Sequence, residues 1–63
     1  MNAHDPLLTA KESAELLTVS IPTFYRLLQK GRIPKAVRLG DHPRWPRSEI
    51  LGVIEAAKQT RAA

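Results

Sequence analysis

Between Leu8 and Pro34 the chain carries two short amphipathic segments joined through Thr18-Val19-Ser20, and few folds accommodate that pattern. The first segment reads Leu8-Thr9-Ala10-Lys11-Glu12-Ser13-Ala14-Glu15-Leu16-Leu17. Thr9 stands as an N-cap with Glu12 three residues on, so its hydroxyl can accept from the Glu12 amide while Glu12 reaches back. Ala10, Ala14 and Leu17 recur at i, i+4 and i+7 and predict the buried stripe of a helix, with Lys11, Glu12 and Glu15 facing water. The second segment reads Ile21-Pro22-Thr23-Phe24-Tyr25-Arg26-Leu27-Leu28-Gln29-Lys30-Gly31. Ser20 is its cap, and Pro22 falls in the first turn, where a missing amide hydrogen costs little. Phe24, Leu27 and Leu28 predict the core face. Pro22, Arg26 and Gln29 form the opposite face, flanked by Thr23 and Lys30 on one side and Tyr25 on the other. Gly31 predicts a left-handed C-cap, and Pro34 keeps the helix from resuming. Two such helices and a tight, partly apolar turn meet the requirements of a helix-turn-helix.

From Ala36 the period changes to two. Val37 and Leu39 share one face, expected to point inward, and Arg38 points the other way. Gly40-Asp41-His42-Pro43 is rich in turn residues, and Arg44-Trp45 is the expected return strand of a short β-hairpin. Pro46 is expected to open a last helix, in which Ile50, Val53, Ile54 and Ala57 repeat at i, i+3, i+4 and i+7. Residues 1–6 read as a flexible leader closed by Pro6, Leu7 and Leu8 as a short extended lead-in, and 59–63 as a frayed tail. The expected fold is mainly α with a small β-hairpin. It is a winged helix-turn-helix of three short helices plus a two-stranded wing, over residues 7–58.

A chain of 63 residues makes one domain. At this size roughly 60% of the unfolded surface is buried on folding, which supports a binding surface better than an enclosed active site. The chain has no cysteine, hence no disulfide and no thiolate metal site. It has no apolar run of membrane-spanning length, and Met1 to Pro6 lack the charged and apolar regions of a signal peptide. These features suit a cytoplasmic protein. His4 and His42 are too few and too far apart for a metal site, Ser, His and Asp are not placed as a triad, and there is no Gly-rich phosphate loop. Neither an enzyme nor a cofactor is expected. The net charge of +4 is unevenly placed: seven cations stand against one acid, Asp41, between Arg26 and Arg47, whereas the rest carries three cations and five acids. Charge gathered on one half predicts a polyanionic partner.

Thr9-Ala10-Lys11-Glu12-Ser13-Ala14-Glu15-Leu16-Leu17-Thr18-Val19-Ser20, followed by Thr23-Phe24-Tyr25-Arg26-Leu27-Leu28, Gly31-Arg32-Ile33-Pro34, Arg38-Leu39-Gly40, Arg44-Trp45 and Ser48-Glu49-Ile50, resembles the AlpA-type phage regulators and the excisionases. These are small MerR-like winged-helix proteins, and the resemblance covers residues 7–58. It implies double-stranded DNA binding, with the second helix in the major groove and the wing on the adjacent minor groove or backbone. It also implies a bacterial or phage-encoded protein that directs excision of a prophage or integrative element, or regulates genes nearby. Asp41 and Pro43 depart from the family pattern at the wing tip, so phosphate contact is not carried over to Asp41.

The expected DNA-binding residues are Ser20, Pro22, Thr23, Tyr25, Arg26, Gln29, Lys30, Arg32, Lys35, Arg38, Arg44 and Arg47. Arg26 lies mid-stripe on the exposed face, and Arg is the side chain best shaped to fork onto guanine O6 and N7, the alternative being an ordinary solvated Arg. Pro22 and Thr23 offer apolar surface to a thymine methyl near the helix end that meets base edges, and equally satisfy plain helix-start chemistry. Ser20 is first a cap, beside amides that suit a phosphate. Tyr25 packs beneath the wing or donates to a phosphate. Lys30, Arg32, Lys35, Arg38, Arg44 and Arg47 form a basic ribbon expected to meet phosphates rather than only to face water. Arg38 and Arg44 lead it, because each alternates with an apolar residue expected to point inward. Trp45 is read as a plug between wing and last helix, since single-strand binders carry several aromatics along a groove. His42 is expected at the wing tip.

The resemblance thus implies an excisionase that bends DNA and helps an integrase assemble, or a regulator that occludes a promoter or contacts RNA polymerase. One copy reads few base pairs, so several copies binding cooperatively are expected, the free protein being a monomer or weak oligomer. Inverted half-sites would mark a symmetric dimer, direct repeats a head-to-tail array. The rival reading is a protein-interaction adaptor of the anti-repressor type with the same fold, disfavoured by the excess of cations unless its partner is acidic. RNA binding is weaker still, for want of an aromatic platform.

Overall fold

The capping box at Thr9 forms. The Glu12 amide donates to Thr9 Oγ1 at 3.1 Å and the Thr9 amide donates to Glu12 Oε1 at 2.9 Å, which satisfies two amides that the start of a helix leaves without partners. In the computed structural model, which describes residues 5–60, this helix is α1, Ala10–Leu17. Its buried residues are Ser13 and Ala14, while Ala10 and Leu17 are half-buried. The buried stripe is thus rotated toward Ser13. The Ser13 hydroxyl donates to the Thr9 carbonyl at 2.8 Å, so it enters the core with its polar group satisfied.

α1 ends on a residue in the left-handed region, Thr18 at φ 59°. The Thr18 amide donates to the Glu15 carbonyl and the Val19 amide to the Ala14 carbonyl, both at 3.0 Å, the paired bonds of a Schellman ending. Ser20 then caps α2, Ile21–Gln29, accepting from the Thr23 amide at 3.3 Å. α2 ends in the same manner at Gly31, φ 78°, with the Gly31 amide on Leu28 at 3.1 Å and the Arg32 amide on Leu27 at 3.0 Å. The left-handed cap expected at Gly31 is present. Phe24 is fully buried, and Leu27 and Leu28 are half-buried beside it.

β2, Val37–Leu39, pairs antiparallel with β3, His42–Pro46, placing Val37 opposite Arg44, Arg38 opposite Pro43 and Leu39 opposite His42. The turn is shorter than the composition suggested: Gly40 and Asp41 alone connect the strands, and His42 and Pro43 belong to β3. Gly40 carries a positive φ of 64° and Asp41 does not, the pattern of a type II′ turn, whose twist suits a hairpin. The lead-in is also a strand. β1, Leu7–Leu8, pairs antiparallel with the end of β3, Leu7 opposite Pro46 and Leu8 opposite Trp45. The two-stranded wing thereby becomes part of a three-stranded sheet in the order β1-β3-β2. β3 borders β2 at its beginning and β1 at its end, so Pro43 and Pro46 each have a strand on one side only, where the missing amide hydrogen is tolerated.

Pro46 closes β3 rather than opening the last helix, because it pairs with Leu7; α3 runs Arg47–Thr60. Its first amides are satisfied from the far end of the chain. The Arg47 amide donates to the Pro6 carbonyl at 2.9 Å. Asp5 Oδ1 accepts from the Ser48 amide at 2.7 Å and Oδ2 from the Ser48 hydroxyl at 2.8 Å. Asp5 and Pro6, read from the sequence as the end of a flexible leader, thus extend the β1 pairing into a cap for α3. The rest of that leader, 1–4, and residues 61–63 of the tail lie outside the described residues; Gln59 and Thr60 continue α3. Ile50 is buried and Val53 and Ile54 half-buried, but Ala57 is exposed, as is every residue from Glu55 to Thr60. The helix runs beyond the small core it packs on.

That core is Ala14, Phe24, Ile33, Trp45 and Ile50: one residue from each helix, one from the α2–β2 link and one from β3. Trp45 meets Phe24 edge to face, ring centroids 5.0 Å apart at 87°, and its indole N–H donates to the Pro34 carbonyl at 2.9 Å. No helix among the described residues is long and apolar enough to cross a membrane.

Thr18 is β-branched where the backbone favours glycine. Thr18→Gly should release about 1–2 kcal/mol of left-handed strain, less about 0.4–1 kcal/mol for the freedom glycine adds to the unfolded chain. The expected net gain is about 0.5–1 kcal/mol, read as a higher urea midpoint at unchanged m-value; an unchanged or lower midpoint would refute it. A second expectation concerns pH. The Ser48 amide, then the Ser48 hydroxyl, hold the Asp5 carboxyl below its ordinary value of 3.8, with slight desolvation opposing and the Arg47 charge assisting. A folded-state pKa below the unfolded one means that the carboxylate stabilises the fold above about pH 4, a contribution lost as pH falls through the folded value. Asp5→Ala should therefore lower Tm at neutral pH, by a difference that shrinks once the solution is acidified below about pH 4. A Tm difference independent of pH would count against this cap.

Candidate nucleic-acid interface

α2 presents one continuous band to solvent. Pro22, Arg26 and Gln29 are exposed along it, with Lys30 on one flank and Tyr25, 43% exposed, on the other. Tyr25 is held edge to face against Phe24, centroids 5.6 Å apart. Thr23 is half-buried, and Ser20 Oγ donates to Thr23 Oγ1 at 2.9 Å while accepting from the Thr23 amide. The Ser20 hydroxyl therefore both donates and accepts within the helix start. The exposed apolar surface of that first turn comes from Pro22 and from Ile21, which is 42% exposed. Sequence reasoning passed over Ile21; its place beside Pro22 at the start of the band was the available signal.

Lys30, Arg32, Lys35, Arg38 and Arg47 are exposed, and Arg44 is half-buried. Among the described residues the one ion pair within 4.0 Å joins Lys58 to Glu55 on α3. None of the cations from Arg26 to Arg47 is thus within 4.0 Å of a carboxylate among the described residues, although Arg47 lies close enough to Asp5 to act on its charge; such a surface attracts a polyanion.

The strand register corrects the expected faces of the wing. Trp45 fills the core, so alternation along β3 puts Pro43 on the same inner face and Arg44 on the outer one. Arg38 pairs with Pro43 and shares the inner face, whereas Val37 and Leu39, paired with Arg44 and His42, lie on the outer face. Val37 is accordingly 41% exposed and Leu39 50% exposed. The expectation that both point inward is overturned, because the large indole sets the alternation of β3 and the pairing transmits it to β2. Arg38 and Arg44 therefore do not act side by side. Arg44 also turns onto its own strand, Nη1 donating to the Pro43 carbonyl at 2.7 Å.

The basic ribbon is divided in space. Lys35 and Arg38 line one groove of about 490 Å³ between α2 and the wing, together with Tyr25, Leu28, Ala36, Pro43 and Trp45. Arg32 instead borders a smaller cleft between α2 and α3, with Leu27, Val53 and Thr60. Arg47 starts α3 near enough to Asp5 for its charge to lower that carboxyl. His42 is exposed at the start of β3 beside the tight turn. Among the described residues no three His, Asp or Glu side chains converge as a metal site would need.

A protein-family model described as a helix-turn-helix domain matches residues 7–58. The chain matches no curated protein and no solved structure.

Proposed function

This chain belongs to the helix-turn-helix domain family, a family of DNA-binding domains, and from that membership we propose a sequence-specific double-stranded DNA-binding protein of the excisionase or mobile-element regulator type. The single observation that carries the reading is the exposed α2 band, Pro22, Arg26 and Gln29, set among cations that have no close carboxylate. α2 lies in the major groove. Arg26 reads a guanine, Pro22 and Ile21 meet thymine methyls, and Gln29 and Lys30 extend the contact. Ser20 offers the helix start to a phosphate, with Thr23 beside it. The wing follows the adjacent backbone or minor groove. Arg32, Lys35, Arg38, Arg44 and Arg47 supply the sequence-independent attraction to phosphates.

The protein acts without chemistry of its own, inside a bacterial cytoplasm or as a phage product. Several copies occupy neighbouring sites and assist an integrase or adjust the access of RNA polymerase. A protein-interaction adaptor is the second reading. It is favoured by one observation, the apolar side chains Leu7, Val37 and Leu39 left 41–50% exposed on β1 and β2.

Selection from a randomised duplex library at near-physiological salt tests the reading. An enriched motif is expected, with affinity falling by a log–log slope of about −0.9 per phosphate neutralised. Arg26→Ala should weaken the best site by about 1–3 kcal/mol and relax the preference at one position. No enrichment by the folded protein would overturn DNA recognition and favour the adaptor.

A further inference from the structure

β2 is an edge strand: it pairs with β3 on one side, and no strand among the described residues lies on the other. The register shows which backbone groups the open side presents. In an antiparallel ladder, opposed residues alternate between exchanging both hydrogen bonds and exchanging none. The two-residue turn makes Leu39 and His42 a bonded pair, so Val37 and Arg44 are bonded as well. Arg38 and Pro43 fall between them as the unbonded pair, which suits a proline that has no amide hydrogen to give. The Arg38 N–H and C=O therefore point away from β3 to the open edge, and no backbone group from a turn or loop among the described residues meets them there.

An unpaired edge is a template for another strand, and the side chains decide which strand it accepts. Val37 and Leu39 are exposed on the outer face, whereas Arg38 is on the inner face and lines the groove with Lys35. Among the described residues no carboxylate stands within 4.0 Å of either cation. A second copy of β2 added antiparallel about Arg38 would set Arg38 against Arg38, and like charges directly opposite are destabilising. The inward charge thus guards the edge against the chain's own strand and favours an acidic residue in that place.

We infer that the open edge of β2 is a docking site for an extended segment of another protein in which an acidic residue is flanked on each side by apolar ones. The segment runs antiparallel to β2. Its acidic residue stands opposite Arg38, exchanges both hydrogen bonds with the Arg38 backbone and turns its carboxylate to the inner face, where Arg38 and Lys35 supply positive charge. Its apolar neighbours fall on the outer face beside Val37 and Leu39. Main-chain bonds supply the attachment and alternate side chains the selectivity. The inference stands apart from the duplex reading, which uses neither the edge backbone groups nor the outer face of β2, and it makes the segment and a phosphate backbone alternative ligands of Arg38.

The experiment selects from a displayed library of random octapeptides against the full chain. It then measures binding of the enriched peptide, acetylated and amidated, together with hydrogen exchange of the backbone amides by NMR. Enrichment of an apolar–acidic–apolar pattern is expected. The peptide should slow exchange most at the Arg38 amide, since the Val37 and Leu39 amides are already bonded to β3. Arg38→Gln should weaken binding about two- to fivefold by removing the charge. Arg38→Pro also removes the outward N–H without touching a bond to β3, and should weaken binding by a further factor of about two to ten. Repeating the selection with Arg38→Glu should replace the central acid by Lys or Arg. Thermal melting verifies that each variant is folded; if the proline variant is not, the Arg38 amide of the wild type and the Arg38→Glu selection still decide. The site is overturned if no peptide is enriched or if the enriched peptides lack a central acid. It is equally overturned if they are acidic without apolar neighbours and leave the Arg38 amide exchanging at its free rate, which is how a basic surface open to any polyanion, DNA included, behaves.

Discussion

The burial of Trp45 governs how the wing is set against α2. Its ring meets Phe24 edge to face at 5.0 Å and its N–H is satisfied by Pro34 at 2.9 Å, so a large apolar surface leaves water without stranding a donor. Three parts of the chain are tied at once: β3, α2 and the link between them. Once Trp45 points inward, the two-residue period of a strand decides the orientation of Pro43 and Arg44, and antiparallel pairing decides that of Val37, Arg38 and Leu39. The placement of the wing's two arginines on opposite faces is therefore a consequence of core packing.

A second constraint is size. Among the described residues only Ala14, Phe24, Ile33, Trp45, Ile50 and Ser13 are buried, so local caps and long-range backbone pairing carry much of the organisation. α1 and α2 each end in a Schellman arrangement, and each begins with a side-chain cap. α3 has no such neighbour in sequence to cap it. Its cap comes from Asp5 and Pro6, brought there because β1 pairs with the end of β3. The start of the described chain thus completes the helix farthest from it in sequence, and the sheet is the device that delivers it.

The fold separates one run of positive charge in space. Arg26 is exposed on the α2 band with no carboxylate within 4.0 Å among the described residues, whereas Lys35 and Arg38 share the groove beside the wing and Arg32 sits on the α3 side. These side chains stand on the surface of one small domain that belongs to a helix-turn-helix family.

Much of this was legible from residue spacing alone. The capping box at Thr9, the Ser20 cap, the apolar face of α2 and the Gly31 ending all depend on groups within a few residues of one another, and such local interactions leave a periodic or positional trace. The exposed stripe of Pro22, Arg26 and Gln29 follows from the same helical period. The left-handed Thr18 left no trace, because that conformation is usually marked by glycine. Leu7 and Leu8 showed their extended character but not their partner, since pairing across some forty residues has no signature in either segment. In the wing, alternation was visible but its sense was not: Val37 and Leu39 look like core from their chemistry, and only the competition of a larger side chain on the neighbouring strand turns them outward. Residue spacing alone set the three helices, the caps at Thr9, Ser20 and Gly31, the hairpin and the half of the chain that carries the charge, because these arise from local hydrogen bonding and composition. Tertiary structure alone decided the cap on α3, the face taken by Arg38 and the grouping of Tyr25 with Lys35, because each depends on which distant element claims the limited space of the core.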